Sequence, residues 1–249
     1  MANSEKLIVD LRMLGVKEGD MIVLQASMDT RDAMLPGEII EALQTILTSA
    51  GTLLVPSFSY LDVTGSYPVY HAKTTESNMG VLSELFRTDY AQYRSLHPTH
   101  SVCGWGRLAY AVTAWHTLDD TPAGSHSPLS QLPSQEGKLL LLGTGLHPDA
   151  FFCAVEEAAH ARYALSPTPI LYTITDDNGR TFDKNYYPRA HIPPAYQFER
   201  LREVLSPEDI IEGTVLGIPS FLIDSRAMMQ KCCARIHADE AFFLDKPSE

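Results

Sequence analysis

Lys138-Leu139-Leu140-Leu141-Leu142-Gly143-Thr144-Gly145-Leu146-His147-Pro148-Asp149-Ala150-Phe151-Phe152-Cys153-Ala154-Val155-Glu156 is the most informative stretch of this chain. Its first five residues are the plainest buried strand in the sequence, an unbroken apolar run after one lysine. Two glycines within three residues end it in a tight turn. From Asp149 to Tyr163 the apolar spacing becomes that of a helix. Strand, turn and helix in this order expose backbone N–H groups and the positive end of a helix at one place. The full dinucleotide pattern G-x-G-x-x-G is absent, because Pro148 stands where its third glycine belongs.

Upstream, the same alternation recurs. Leu7 to Leu14 has helical spacing and stops at Gly15, and Met21 to Gln25 is a short apolar strand. Pro36-Gly37 opens a helix with Ile39, Ile40, Leu43, Ile46 and Leu47 on one side, and Thr52 to Pro56 is the next strand. Crossover helices between strands predict an α/β fold with a partly parallel sheet. Ser57 to Thr75 has aromatic and turn residues without a period and reads as an irregular loop over a cleft. Asn78 to Asp89 and Leu108 to Trp115 read as helices. After Ser166 the texture changes: Ile170 to Thr175 and Arg180 to Asp183 flank the hairpin turn Asp176-Asp177-Asn178-Gly179. Gln197 to Leu205 is helical, two short strands lie between Thr214 and Ile223, and Ser225 to Ala238 is a closing helix. One domain over residues 1–249 follows, with a hairpin and loop subregion at 166–195.

The bulk numbers exclude whole classes. A formal net charge of −12 argues against a nucleic-acid partner and favours a cationic small substrate. No apolar stretch is long enough for a membrane span. The first ten residues already carry Glu5, Lys6 and Asp10 and no apolar signal core, which predicts a cytoplasmic protein. Four cysteines without C-x-x-C spacing predict free thiols rather than a disulfide framework or a zinc site. Neither the serine-hydrolase elbow nor the P-loop pattern occurs.

Three places carry candidate chemistry. Cys153 falls near the start of its helix, with Glu156, Glu157 and His160 at i+3, i+4 and i+7 on a shared face. Two readings stand. One is a core thiol beside Phe151, Phe152 and Val155. The other is a thiol with a lowered pKa that acts as a nucleophile. Arg94-Ser95-Leu96-His97-Pro98-Thr99-His100-Ser101 sets two histidines at a proline-fixed bend, as a base, a substrate contact or a loop-stabilising hydrogen bond. His191 stands alone ahead of Pro193-Pro194. No common metal motif fits these spacings.

Taken in order, these segments resemble the aminoglycoside 3-N-acetyltransferase (antibiotic N-acetyltransferase) family. The likeness rests on Leu14-Gly15-Val16-Lys17-Glu18-Gly19-Asp20, Gly51 to Ser59, Met79-Gly80 with Glu84-Leu85-Phe86-Arg87, and Arg94-Ser95-x-His97-Pro98-x-x-Ser101 with Gly106. His116, Ser127-Pro128 and Leu140-Leu141-Leu142-Gly143 complete it. The resemblance implies a single α/β domain with a mixed central sheet, flanking helices and a C-terminal hairpin subregion. It implies acetyl-CoA or another pantetheine thioester as co-substrate, without a metal, and a small-molecule amine as acceptor, in antibiotic resistance or biosynthesis. It implies that Gln25, Ala26, Ser27, Met28, Met79, Gly80 and Ser127 hold the donor.

The chain departs from the family pattern at the reacting centre. The family's His-Ser-Ser-Leu reads Gln25-Ala26-Ser27-Met28, its Asn-Ser-x-Thr reads His147-Pro148-Asp149-Ala150, and its His-x-x-Glu reads Cys153-Ala154-Val155-Glu156. A thiol is a poor base for an amine but a good acyl acceptor. The substitution therefore predicts an acyl-thioester on Cys153, supported by Glu156, with His191 or His97 as the activating base. Two other functions fit the residues: a biosynthetic acyltransferase fed by an acyl carrier protein, and a CoA- or amine-binding protein that has lost catalysis.

Overall fold

The computed structural model describes residues 2–27, 36–190 and 196–245. Thirteen-residue helix α1 (Ala2–Leu14) leads into strand β1 (Met21–Ala26), then α2 (Pro36–Leu47) and β2 (Thr52–Pro56). Leu139 to Leu142 are buried to within about a percent in β6 (Lys138–Leu142), as the apolar run predicts. β6 pairs in parallel with β1, and β1 in parallel with β2, so the three form a parallel centre. Both flanks turn antiparallel. β5 (Val102–Gly106) joins β2 and carries the short β4 (Tyr93–Arg94). On the other side β10 (Ile218–Asp224) joins β6 and carries β9 (Ile210–Val215). The sheet order is β4-β5-β2-β1-β6-β10-β9. This is the mixed central sheet expected of the family.

The two faces bury separate cores. On one, α1 and α2 set Leu7, Leu11, Ile39, Ile40 and Leu43 against alternate sheet residues such as Ile22, Leu24, Leu140 and Leu142. On the other, α6 (Asp149–Ala158) and α8 (Ser225–Ala238) set Phe151, Phe152, Val155, Met228 and Cys232 against Val23, Leu139 and Leu141. Alternation along each central strand feeds both cores, which is why these strands read as continuous apolar runs.

The expected hairpin after residue 166 forms from β7 (Ile170–Thr175) and β8 (Thr181–Tyr186). It does not stand alone: β3 (Val69–His71) adds in parallel to β7 and makes a second, three-stranded sheet. The reading of Ser57 to Thr75 as purely irregular is thereby corrected. Tyr70, Tyr172 and Tyr186 form the small core of this sheet, a signal too short to see in three residues of sequence. Helix bounds also move, and α6 ends at Ala158 rather than at Tyr163. α3 covers only Val81–Leu85 and widens into a π turn at Phe86–Tyr90, and α4 covers Ala109–Thr113. The remaining α5 (Pro128–Gln131) and α7 (Leu201–Val204) are single turns. Gly106 shows why the β2–β5 junction needs glycine. Its φ is +102°, and a Cβ there would collide with the carbonyl oxygen of Gly51.

Among the described residues, no helix is long and apolar enough to cross a membrane, and no group of three His, Cys, Asp or Glu could hold a metal ion.

Candidate active site

The three parallel strands point their carboxyl ends the same way, and a cavity of about 470 Å³ opens there. In α/β sheets this is where ligands settle, because the chain leaves each strand toward a different helix. Gln25, Ala26 and Ser27 at the end of β1 form one wall, and Val55 and Pro56 at the end of β2 another. Met79 and Gly80 before α3 close the far side, with Tyr60 and Thr144 at the rim. Five of the seven expected donor-binding residues thus converge: Gln25, Ala26, Ser27, Met79 and Gly80. Met28 lies outside the described residues. Ser127 does something else. It is fully buried, and its Oγ accepts the Ser130 N–H at 3.1 Å as the N-cap of α5.

No charged side chain lines this cavity among the described residues. Gln25 is 8% exposed; its Nε2 donates to the His147 carbonyl at 3.4 Å, and its Oε1 is sealed from water with no partner among the described residues.

Helix α6 supplies the second part of the site. Cys153 falls in its second turn, not its first, and is 4% exposed. Its Sγ donates back to the Ala150 carbonyl at 3.1 Å. Burial pushes the thiol up to about 12, against a smaller downward pull from Arg189 and an upward push from Glu156 and Glu157. No described histidine hydrogen-bonds the sulfur.

Glu156 is wholly buried and fully engaged. Arg189 Nη2 donates to its Oε2 at 2.6 Å, and the Tyr196 hydroxyl donates to its Oε1 at 2.7 Å. Arg189 Nη2 also donates to the Tyr196 oxygen at 2.8 Å, which closes a triangle. Burial of an ion pair is tolerated only when its lone pairs are satisfied in this way. Neither Arg189 nor Tyr196 carried a signal in the sequence, since each is single and distant from Glu156. Glu157, one residue on, accepts the Ala123 N–H at 2.8 Å. Burial raises its carboxyl to about 7.

His97 is placed elsewhere. It is 1% exposed, and its Nδ1 accepts the backbone N–H groups of Thr99 at 3.2 Å and His100 at 3.0 Å. Its ring stacks on His116 at 4.8 Å between centroids and meets Tyr186 edge-on at 4.6 Å. His116 Nδ1 shares a hydrogen bond with Ser95 at 2.8 Å. Burial holds His97 and His100 well below the ordinary imidazole value, and His116 at about 3. Of the roles open to His97, the geometry shows the loop-stabilising one. His191, the other candidate base, lies outside the described residues. Arg94 is likewise a strut: its guanidinium donates to Ser101 Oγ and to the carbonyls of Ala72, Thr75 and Ser57.

Tyr60 joins the two parts. It lines the cavity, and its ring stacks beside His100 at 5.8 Å. Its phenol is raised first by burial and then by the charges of Asp149 and Cys153. Tyr60 is thus the link between the cavity and the first turns of α6.

Comparison with known proteins bears on the family and the fold. A family model for aminoglycoside 3-N-acetyltransferase matches residues 31–236. Aminoglycoside N(3)-acetyltransferase VII of Streptomyces paromomycinus is 31% identical over 188 residues, which cover 67% of this chain and 65% of that protein's length. The fold of a mutant of aminoglycoside acetyltransferase AAC(3)-IVa in complex with a gentamicin superposes with a TM-score of 0.79 at 26% identity, over 98% of this chain and 92% of that one. AAC-IIIb in a binary complex with CoASH superposes with a TM-score of 0.78 at 25% identity, over 99% of both chains.

Proposed function

Because the chain belongs to the aminoglycoside 3-N-acetyltransferase family, we propose that it transfers an acyl group from acyl-CoA to an amino group of a small molecule. The observation that carries this reading is the cavity at the ends of β1 and β2. Among the described residues its lining is uncharged, which suits the neutral pantetheine arm better than the nucleotide. Ser27, Met79 and Gly80 would hold the arm by backbone and van der Waals contact. The CoASH complex of one structural neighbour supports CoA as donor; no comparison points to a carrier protein. The gentamicin complex of another makes aminoglycosides the first acceptors to assay.

Two routes for the acyl group differ in the part given to Cys153. In direct transfer the amine attacks the thioester carbonyl. In the covalent route Cys153 first takes the acyl group. The resting thiol, pushed up to about 12 and lacking a described histidine partner, favours direct transfer. Nucleophilic cysteines are found with lowered, not raised, pKa values. Thiol release from acetyl-CoA, followed with gentamicin-type and simpler amines, tests the activity. Release that depends on the amine supports it, and none with any acceptor would leave a binding protein that has lost catalysis. Intact mass after incubation with acetyl-CoA alone then separates the routes: direct transfer expects no adduct, and an acetyl adduct lost in Cys153→Ser would establish the covalent one.

A further inference from the structure

Direct transfer needs a group to take the amine proton, and the histidine that would do so in the family's His-x-x-Glu pattern is absent here. Asp149, Cys153 and Glu157 recur at i, i+4 and i+8 along α6, so they stand one above another on one face. Asp149 is at the donor end, beside Tyr60. Glu157 is at the other end, under the loop that carries Ala123. Cys153 lies between them, 4% exposed, at the position where the family pattern has its histidine.

We propose that Glu157 is the general base of this protein, receiving through its Oε2 the proton of an amine that sits over Cys153. The proposal rests on the acyltransferase reading above and assigns a step within it. Four observations support it. Glu156 is spent on Arg189 and Tyr196, with both oxygens occupied. His97 and His116 are sealed in their own stack. Glu157 is only half-buried; the Ala123 N–H fixes its Oε1, and the Thr121 side chain is its other hydrogen-bond partner, a hydroxyl that an incoming amine can displace. Residues four apart on a helix hold their Cβ atoms about 5–6 Å apart, which places the carboxylate within reach of a group over the sulfur.

The surroundings suit the task. Burial raises Glu157 to about 7, against the downward pulls of Thr121, the Ala123 N–H and Arg189, while Asp119 across from it pushes upward. The other titratable groups around it are the protonated Cys153 thiol and Glu156 on its own helix, His126 bonded to Asp119, and Lys184, whose ammonium donates to the Thr117 and Asp119 carbonyls. A base with a pKa near the working pH is both ionised and proton-accepting. The step balances without a further reagent. The amine nitrogen forms a bond to the thioester carbonyl carbon and gives its proton to Glu157. The carbon–sulfur bond then breaks, and the carboxylic acid returns the proton to the departing CoA thiolate.

The test compares wild type, Glu157→Gln, Asp149→Asn, Cys153→Ser and the double variant Glu157→Gln/Cys153→His, reading kcat/KM against pH with acetyl-CoA and one active amine. Wild-type kcat/KM should rise with pH and level off above about 7. Glu157→Gln should lose about 100-fold in kcat with that inflection gone, and the KM for acetyl-CoA should stay within about 3-fold of wild type. Cys153→His in the Glu157→Gln background should recover activity about 10-fold or more, since a histidine there supplies a base again. Glu157→Gln that keeps wild-type kcat and its pH profile overturns the proposal, as does loss of the inflection in Asp149→Asn or Cys153→Ser instead. A wild type that transfers to no amine would fail the acyltransferase reading itself, which is a separate outcome.

Discussion

The Arg94–Ser101 segment and the Cys153–Glu157 turn of α6 both carry residues of catalytic type, yet they are built for opposite purposes. In the first, most polar groups are satisfied by their neighbours, the sealed His97 Nε2 being an exception. Arg94 ties down three carbonyls and a serine, His97 caps two backbone N–H groups, and His116 is held by Ser95. In the second, Glu156 is locked while Glu157 beside it stays half-open with its carboxyl raised to about 7. Two adjacent glutamates thus differ: one is locked in a buried ion pair, and one is half-buried and held only by the Ala123 N–H and the Thr121 side chain. A residue type suited to chemistry is therefore a poor guide to chemistry until its hydrogen-bond partners are counted.

Acid is the strongest test of this contrast. Burial keeps the imidazoles of His97, His100 and His116 neutral, with folded pKa values below the unfolded 6.5. Such groups stabilise the fold fully above pH 6.5 and lose that contribution as pH falls toward the folded value. By pH 5 His116 alone should have lost about 2 kcal/mol. His97 and His100 add in the same direction, so the three together exceed any single substitution below. Urea melts at pH 7 and 5 measure it, and equal stability would show that these rings are not sealed. Next in size, Arg94→Ala removes four charge-assisted hydrogen bonds and should cost about 4 kcal/mol in the same assay. A cost under about 1 kcal/mol would move Arg94 from strut to surface.

Glu156→Gln tests the division between the glutamates. It leaves Arg189 charged and buried without its counter-ion, and should cost about 3 kcal/mol in stability. Its pH–rate inflection should stay near that of wild type, whereas Glu157→Gln should abolish the inflection. The smallest effect belongs to Ser127→Ala. Loss of the α5 cap should cost about 1 kcal/mol, and the KM for acetyl-CoA should not move. A raised KM would return Ser127 to the donor site that the sequence likeness implied.

Much of the fold was legible because its signals are local or periodic. The β6 apolar run, the spacing of Ile39, Ile40 and Leu43, and the Asp176–Gly179 turn each fix an element without outside help. β3 was not, because its three residues take their strand from a partner far along the chain. At the site, Gln25, Ala26, Ser27, Met79 and Gly80 were found by their order along the family pattern. Arg189, Tyr196 and Tyr60 were not, since no spacing ties them to Glu156 or to the cavity. Cys153 was found as an anomaly, but its state was not readable: a thiol near a helix start can be activated, and only its burial shows that this one is held protonated.

Residue identity and near-neighbour spacing were enough for the strand and helix order, the family, and the loss of a histidine at position 153. They could not say which polar groups are spent and which are free; packing settled that. Charge, burial and hydrogen bonding at Glu156 and Glu157 depend on Arg189, Tyr196 and Ala123 arriving from distant segments, and on the low dielectric that packing creates around them.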